Sequence, residues 1–154
     1  SDGAYVHRHW LRSRAKDYDV VTRRRLLAGS LISAQAYQKA QRLRVLLRNQ
    51  VLATLEGVDV LLSPTQPTTA AKIETSSGLN SNEDVLRRFA GPRGATAPFN
   101  LAAVPAMSMP CGFTEDGLPI GIQLVARPFE EPTLFQVGHV YQERTPWHTR
   151  RPPV

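Results

Sequence analysis

The sequence predicts a fold in which helices pack against a short sheet, and three features predict it. Apolar residues recur every three or four positions through much of the first 57 residues, which is typical of helices. Three short apolar runs bounded by proline or glycine follow between residues 58 and 126, and a last helical pattern begins at Pro132. Because three apolar strands do not make a self-sufficient sheet covered on both faces, we expect them to belong to a wider one.

Two helical segments open the chain. The first is predicted from about Ala4 to Lys16, and its apolar side carries Val6, Trp10 and Leu11. Residues 17–19 either continue this helix or cap the next one, for which Gly29 is the expected end.

The longest helix is predicted from about Ser33 to Glu56. Ser33 is a candidate N-cap, and Gly57 is a candidate stop. Its apolar stripe consists of Ala36, Ala40, Leu43, Leu47, Val51 and Leu55. A helix of this length and pattern is expected to lie against something larger.

The second half of the chain is predicted to contain the strands. The first strand, Val58 to Ser63, is apolar on consecutive positions, which suits a sheet covered on both faces. Residues 66–97 are interpreted as a long loop with one helical turn at residues 83–89. Further strands are predicted at Ala106 to Phe113 and Ile120 to Ala126, joined by a turn at residues 115–117. A closing helix then runs from Pro132 to about Tyr141, before a tail that is expected to wander over the surface.

Composition and size are those of a soluble globular domain. The 154 residues are 42% hydrophobic and 21% charged, which excludes wholesale disorder. No apolar run approaches the roughly 20 residues that span a bilayer, and the first residues lack the apolar stretch of a signal peptide. We therefore expect a cytoplasmic protein without a membrane partner. The chain begins without methionine, and processing, trimming and incompleteness all stay open.

The positive charge is concentrated in the first third of the chain. Residues 1–50 carry eleven Lys or Arg against three Asp, whereas residues 51–154 carry eight against ten acidic residues. The arginines alternate with leucines at helical spacing and lack interleaved stacking aromatics. This pattern favours a solvated or subunit-facing helix surface, and we expect no nucleic-acid partner. A non-catalytic basic module that docks on an acidic partner is kept as an alternative.

Cysteine and histidine give little reason to expect a cofactor. Cys111 is the only cysteine, so an intrachain disulfide is excluded, and its apolar surroundings favour a buried, unreactive thiol. His7 and His9 are two positions apart and would face different directions on a helix, while His139 is interpreted as a partly buried helix residue. We therefore expect neither a metal nor another cofactor.

Four segments occur in an order and spacing that resemble a known family. They are Arg24-Arg25-Leu26-Leu27-Ala28-Gly29; the run from Asp59 to Pro67; the run from Asn100 to Gln123, with Pro110-Cys111-Gly112-Phe113 and Gly117-Leu118-Pro119-Ile120-Gly121-Ile122-Gln123; and Thr145-Pro146-Trp147-His148. Together they resemble the carboxy-terminal part of the amidase signature family, serine hydrolases that cleave the carbon–nitrogen bonds of amides. The resemblance extends over about residues 18–152.

This resemblance implies an α/β fold with a mixed central sheet flanked by helices, and hydrolysis of an amide or transfer of its ammonia. It also implies a serine nucleophile, a second serine and a lysine that move the proton, and a loop whose backbone amides hold the oxyanion. None of these groups is recognised here. The nearest substitute, Thr75-Ser76-Ser77-Gly78 with Lys72, lacks the surrounding glycines and is interpreted as plain loop, and Ser108 as a packed hydroxyl.

We therefore expect no catalytic residue in these 154 residues and no activity from the chain alone. The expected partners are a small-molecule amide and a missing amino-terminal part of the same fold, and a homodimer is left open. Residues 1–154 are predicted to form a single partial domain. Its helical part covers residues 1–57, and its strands, long loop and closing helix cover residues 58–145.

Three residues are candidates for substrate binding. Arg24 or Arg25 matches an arginine with which glutamine-using relatives bind the charged end of the substrate, and the alternative is a surface helix arginine. Asn100 either lines the pocket or bridges loop backbone groups. Gln123, if buried, is expected to be hydrogen-bonded and structural.

A second alternative is the A subunit of a glutamyl-tRNA(Gln)/aspartyl-tRNA(Asn) amidotransferase, whose activity requires partner subunits. The glutamine-using relatives carry an aspartate shortly before the position of Thr96. Residues 92–95 read Pro-Arg-Gly-Ala and contain no acid, which argues against this alternative.

Overall fold

A computed structural model describes residues 2–71 and 94–151 of the chain. The chain is divided into two compact units, Ser1–Arg44 and Val45–Val154. The helical turn predicted at residues 83–89 lies outside the described residues. Helices and a three-stranded antiparallel sheet are both present, which is consistent with the predicted α/β class, although the described strands contain no parallel pair of the kind a mixed sheet has.

Short helical elements form residues 2–30 of the first unit. They are α1 (Asp2–Val6), α2 (Arg8–Ser13), a 3-10 turn (Ala15–Asp17) and α3 (Val20–Ser30). The prediction of one helix from Ala4 to Lys16 is therefore wrong. The chain turns at His7, whose Nδ1 lies 2.8 Å from the Tyr18 hydroxyl.

The packed side of these helices also differs from the prediction. Ala4 is buried, whereas Val6 and Trp10 are exposed. A Cβ on Gly3 would lie only 3.1 Å from Leu26 Cδ2, so α1 approaches α3 closely through its small residues. The physical reason is that close helix packing favours small side chains at the point of approach, which a count of large apolar residues does not detect.

Asp19 caps α3, which confirms one of the two readings left open for residues 17–19. Its carboxylate accepts hydrogen bonds from the Val21 N–H at 3.2 Å and the Thr22 N–H at 2.8 Å. Hydrogen bonds from Thr22, and then from Val21, lower the pKa of Asp19 below its usual value. The helix ends at Ser30, one residue beyond the predicted Gly29.

The long helix α4 (Ala34–Thr54) confirms the prediction closely. The Ser33 hydroxyl accepts a hydrogen bond from the Ala36 N–H at 3.2 Å, and Gly57 adopts φ +81° just beyond the helix. The apolar stripe is buried only towards its carboxyl end. Leu55 is fully buried and Val51 is buried, whereas 55% of Leu43 is exposed.

The sheet belongs to the second unit and has the order β1-β3-β2. Its strands are β1 (Leu61–Pro64), β2 (Ala106–Phe113) and β3 (Pro119–Val125), with antiparallel pairing on both sides of β3. The hairpin between β2 and β3 confirms the prediction, with Gly117 at φ +79° in its turn.

Helices cover both faces of this sheet. Leu124 and Met109 pack with Leu134 on the face of α6 (Glu131–Arg144). On the other face, Leu55 packs with Ala102 of a short helix α5 (Ala97–Ala102) and with Leu61. The predicted covering of β1 on both of its faces is not complete in the described residues. β1 is an edge strand of the described sheet, and 63% of Leu62 is exposed.

Two further features of the structure differ from the prediction. Helix α5 is not predicted from the sequence, because its six residues give too little length for a helical period to be read. The tail is pinned rather than wandering over residues 147–150, because Trp147 lies 6.2 Å from the Phe113 ring and the Arg150 guanidinium lies 5.2 Å from both rings. Within residues 2–71 and 94–151, no helix is long and apolar enough to cross a bilayer.

Candidate functional site

A row of polar side chains crosses the sheet near the carboxyl end of β1. Ser63 on β1 is the register partner of Gln123 on β3, and Gln123 is in turn the partner of Ser108 on β2. Partners across neighbouring strands project to the same face of a sheet. The three polar residues therefore share the face on which Leu61 and α5 pack.

Gln123 is the centre of this row and is almost completely buried, with 2% of its surface exposed. Its side-chain amide nitrogen donates to the Ser63 hydroxyl at 3.0 Å and to the Ala95 carbonyl at 3.1 Å. A longer contact of 3.5 Å reaches the Pro64 carbonyl. The expectation that a buried Gln123 would be hydrogen-bonded is confirmed.

Thr65 extends the row beyond the end of β1. Its hydroxyl lies 2.7 Å from the hydroxyl of Ser108, and its N–H donates to the Gly121 carbonyl at 2.9 Å. A Cβ on Gly121 would approach the Thr65 hydroxyl to 3.0 Å, so this position favours glycine. The Ser108 hydroxyl is exposed and paired with Thr65, rather than packed as predicted.

A cleft of about 690 Å³ lies beside this row. Its eleven described lining residues are uncharged and include threonine hydroxyls and one glutamine amide: Pro64, Thr65, Gln66, Pro67, Thr68, Thr69, Ala70, Ala71, Pro119, Ile120 and Gly121. The volume is in the range of small-molecule sites. Such a lining can donate and accept hydrogen bonds, but its groups are hydroxyls, amides and aliphatic side chains, none of which is a base able to activate a nucleophile.

The three predicted substrate-binding residues are not part of this cleft. Arg24 and Arg25 are exposed neighbours on α3 in the first unit, where the charge of Arg25 contributes to the lowered pKa of Asp19. Asn100 is exposed on α5 in the second unit, and its carbonyl accepts a hydrogen bond from the Ala103 N–H. Their roles in substrate binding stay predictions.

The other residues considered in the sequence analysis are distributed as follows along the chain. Lys72 and residues 75–78 lie outside the described residues. Cys111 is half-buried rather than buried, and its thiol lies 3.5 Å from the Ile120 carbonyl. His139 is exposed rather than partly buried, with its Nε2 3.5 Å from Glu143. The part of the chain that the structure describes contains no group of three or more His, Cys, Asp or Glu that could hold a metal ion.

Ser63 and Thr65 are functional candidates that the sequence reasoning missed. The available signal is the appearance of small hydroxyl residues at alternate positions where an apolar run ends. That signal indicates one shared face of the strand. It does not indicate which residues of β2 and β3 lie opposite.

Comparison with known proteins identifies the family of this chain. The family model described as Amidase matches residues 4–135. The chain is 39% identical over 148 residues to the A subunit of the glutamyl-tRNA(Gln) amidotransferase of Rippkaea orientalis, covering 93% of this chain and 30% of that protein. The chain thus spans about a third of the length of the curated relatives it matches.

Solved structures agree in fold. A crystal structure of an amidase superposes with a TM-score of 0.72 at 28% identity, covering 92% of this chain and 32% of that one. The A subunit of the glutamyl-tRNA(Gln) amidotransferase of Thermotoga maritima superposes with a TM-score of 0.51 at 29% identity, covering 80% and 27%. Together with the family match, these similarities show that the chain belongs to the amidase signature family.

Proposed function

We propose that this chain forms the carboxy-terminal part of an amidase, which hydrolyses a carbon–nitrogen amide bond to a carboxylate and ammonia or an amine. In this proposal the chain completes the fold and supplies one wall of the substrate pocket. The observation that supports it is the cleft beside β1 and β3, because those lining residues that the structure describes are uncharged and can form hydrogen bonds, which suits a neutral amide.

The nucleophile is proposed to lie in a different part of a longer protein. Amide hydrolysis by a serine needs a base within hydrogen-bond reach and donors aimed at the oxyanion. Thr65 and Ser108 are hydrogen-bonded to each other, and none of the described lining residues of the cleft is a base. About 70% of the length of the curated relatives lies outside the match, which leaves room for such a catalytic segment.

A second candidate is the A subunit of a tRNA-dependent amidotransferase, which would act with partner subunits. The observation that favours it is the 39% identity to the Rippkaea orientalis protein. The absence of an acid in residues 92–95 argues against it. The TM-score of 0.72 to the amidase, against 0.51 to the Thermotoga maritima protein, also favours the first candidate.

Ammonia release from a panel of neutral amides and from glutamine tests the proposal. The protein is assayed as the 154-residue chain and again together with the in-frame coding sequence that precedes it. We expect hydrolysis of neutral amides by the longer protein and none by the chain alone. Hydrolysis by the chain alone would overturn the assignment of the nucleophile to another segment.

The same assay separates the two candidates. An amidase hydrolyses small amides without other proteins. The second candidate would release ammonia from glutamine, and this release would depend on partner subunits. Glutamine use with no hydrolysis of neutral amides would therefore favour the second candidate and contradict the first. A cytoplasmic location, a homodimer and a single partial domain over residues 1–154 stay predictions.

A further inference from the structure

Gln123 makes contacts that sheet pairing does not require. Strands β1 and β3 are already joined by backbone pairing from Leu61↔Val125 to Pro64↔Ile122. The side chain adds a link to the Ala95 carbonyl, 28 positions away in a segment that precedes α5 and lies outside the sheet. One buried amide thus connects the end of β1, the centre of β3 and the approach to α5.

This connection adjoins the cleft at Pro64. The lining begins at Pro64, whose carbonyl is 3.5 Å from the Gln123 amide, and continues through Thr65. A second close contact supports the same region, because a Cβ on Gly94 would lie 2.5 Å from the Gln66 side chain. The segment before α5 and the cleft wall are therefore linked through Gln123 and lie close together again at Gly94 and Gln66.

The energetic asymmetry of buried hydrogen bonds makes this link strong. If the amide of Gln123 is removed, the Ala95 carbonyl and the Ser63 hydroxyl lose a partner in a region where Gln123 itself is only 2% exposed. Both acceptors are half-buried, and a half-buried acceptor that loses its partner is expected to move towards water. The wall at Pro64 and Thr65 would then shift away from the position that shapes the cleft.

We propose that Gln123 is a positioning residue for amide hydrolysis, which holds the Pro64–Ala71 wall of the cleft in the geometry that receives the uncharged part of the substrate. This inference rests on the proposed function. It assigns no contact between Gln123 and the substrate, because the side chain acts through Ser63, Pro64 and Ala95.

The test compares Gln123→Met, which keeps a similar volume but removes the amide, with Arg127→Met. Arg127 is a matched control, since its guanidinium also donates to two backbone carbonyls, those of Leu55 at 3.0 Å and Val58 at 2.7 Å, and none of these residues lines the cleft. The longer, active protein is assayed for KM and kcat with a neutral amide. Hydrogen exchange of backbone amides is measured on the same proteins.

We expect Gln123→Met to lower kcat/KM by ten- to a hundredfold, on the order of the effect of small misplacements at a site, mainly through KM. Exchange of the Thr65 and Ala97 amides should accelerate in this variant and stay unchanged in Arg127→Met. Ser63→Ala, which removes one acceptor and keeps Gln123, should show the same pattern more weakly. It serves as the test if Gln123→Met does not fold.

An equal loss of kcat/KM in Gln123→Met and Arg127→Met would overturn the proposal, because it would indicate a general structural role. Unchanged exchange at Thr65 and Ala97 would also overturn it. If the unaltered longer protein hydrolyses no amide, the proposed function fails and takes the kinetic part of this inference with it. The exchange data would still decide whether Gln123 holds the wall.

Discussion

Helix α4 allows a sharp test of where the chain has its own core. Leu43 in α4 and Leu55, one residue beyond its carboxyl end, are the same residue type on the same predicted apolar stripe, twelve positions apart. Leu55 is fully buried and packs with Val51 and Ala102, whereas 55% of Leu43 is exposed. Leu55→Ala and Leu43→Ala are therefore a matched pair that differs mainly in burial.

The expected magnitudes follow from burial. Truncating a fully buried leucine removes its transfer free energy and leaves a cavity, which lowers the free energy of unfolding by about 3 kcal/mol. For a chain of this size that loss corresponds to a fall in Tm of about 6–12 °C. Leu43→Ala should change the free energy of unfolding by no more than about 0.5 kcal/mol, as is usual for surface positions.

The assay is unfolding of the 154-residue chain by heat and by urea, followed by far-ultraviolet circular dichroism at low protein concentration and with sulfate added to every sample, so that a marginally stable chain starts folded. If Leu55→Ala is unfolded under these conditions, more sulfate in every sample restores a measurable transition, because it strengthens apolar burial. A cost for Leu43→Ala as large as that for Leu55→Ala would refute the reasoning. The comparison repeated in the longer protein should raise the cost of Leu43→Ala to about 2 kcal/mol, since the proposed missing part would cover that side of α4.

Three further predictions concern local features. In a urea titration, Gly117→Ala should destabilise the hairpin by about 1 kcal/mol, because Gly117 has φ +79°. Gly112→Ala should be nearly neutral in the same titration, because no atom lies within 4 Å of the added Cβ. Because the pKa of Asp19 is lowered in the folded state, its carboxylate stabilises the fold above the unfolded pKa near 3.8, and this stabilisation disappears as pH falls through the lower folded value. The helix content of the unaltered chain should therefore fall over that acidic range. The helix content of Asp19→Ala should not show this step. The isolated chain should be marginally stable and prone to aggregate because β1 is an edge strand with Leu62 exposed, and a cooperative melt of a monomer that is independent of concentration would contradict this.

The features that sequence alone determined are local ones. The period of apolar residues and the caps Ser33 and Gly57 were enough to predict α4, because a helix is stabilised by neighbours within four positions. Short apolar runs bounded by proline and glycine, with a glycine turn between them, were enough to predict the hairpin of β2 and β3, since Gly117 supplies the positive φ that the turn requires. The four ordered motifs likewise indicated the amidase signature family.

Only the tertiary structure decided which polar groups meet. Ser63, Ala95 and Gln123 are 28 to 60 positions apart, and Thr65 is 43 positions from Ser108. Strand alternation shows which residues share a face, but the partner strand and its register depend on how distant segments pack. The contacts of His7 with Tyr18 and of Trp147 with Phe113 likewise join residues that are not sequence neighbours. Local chemistry specified the elements, and long-range packing specified the cleft.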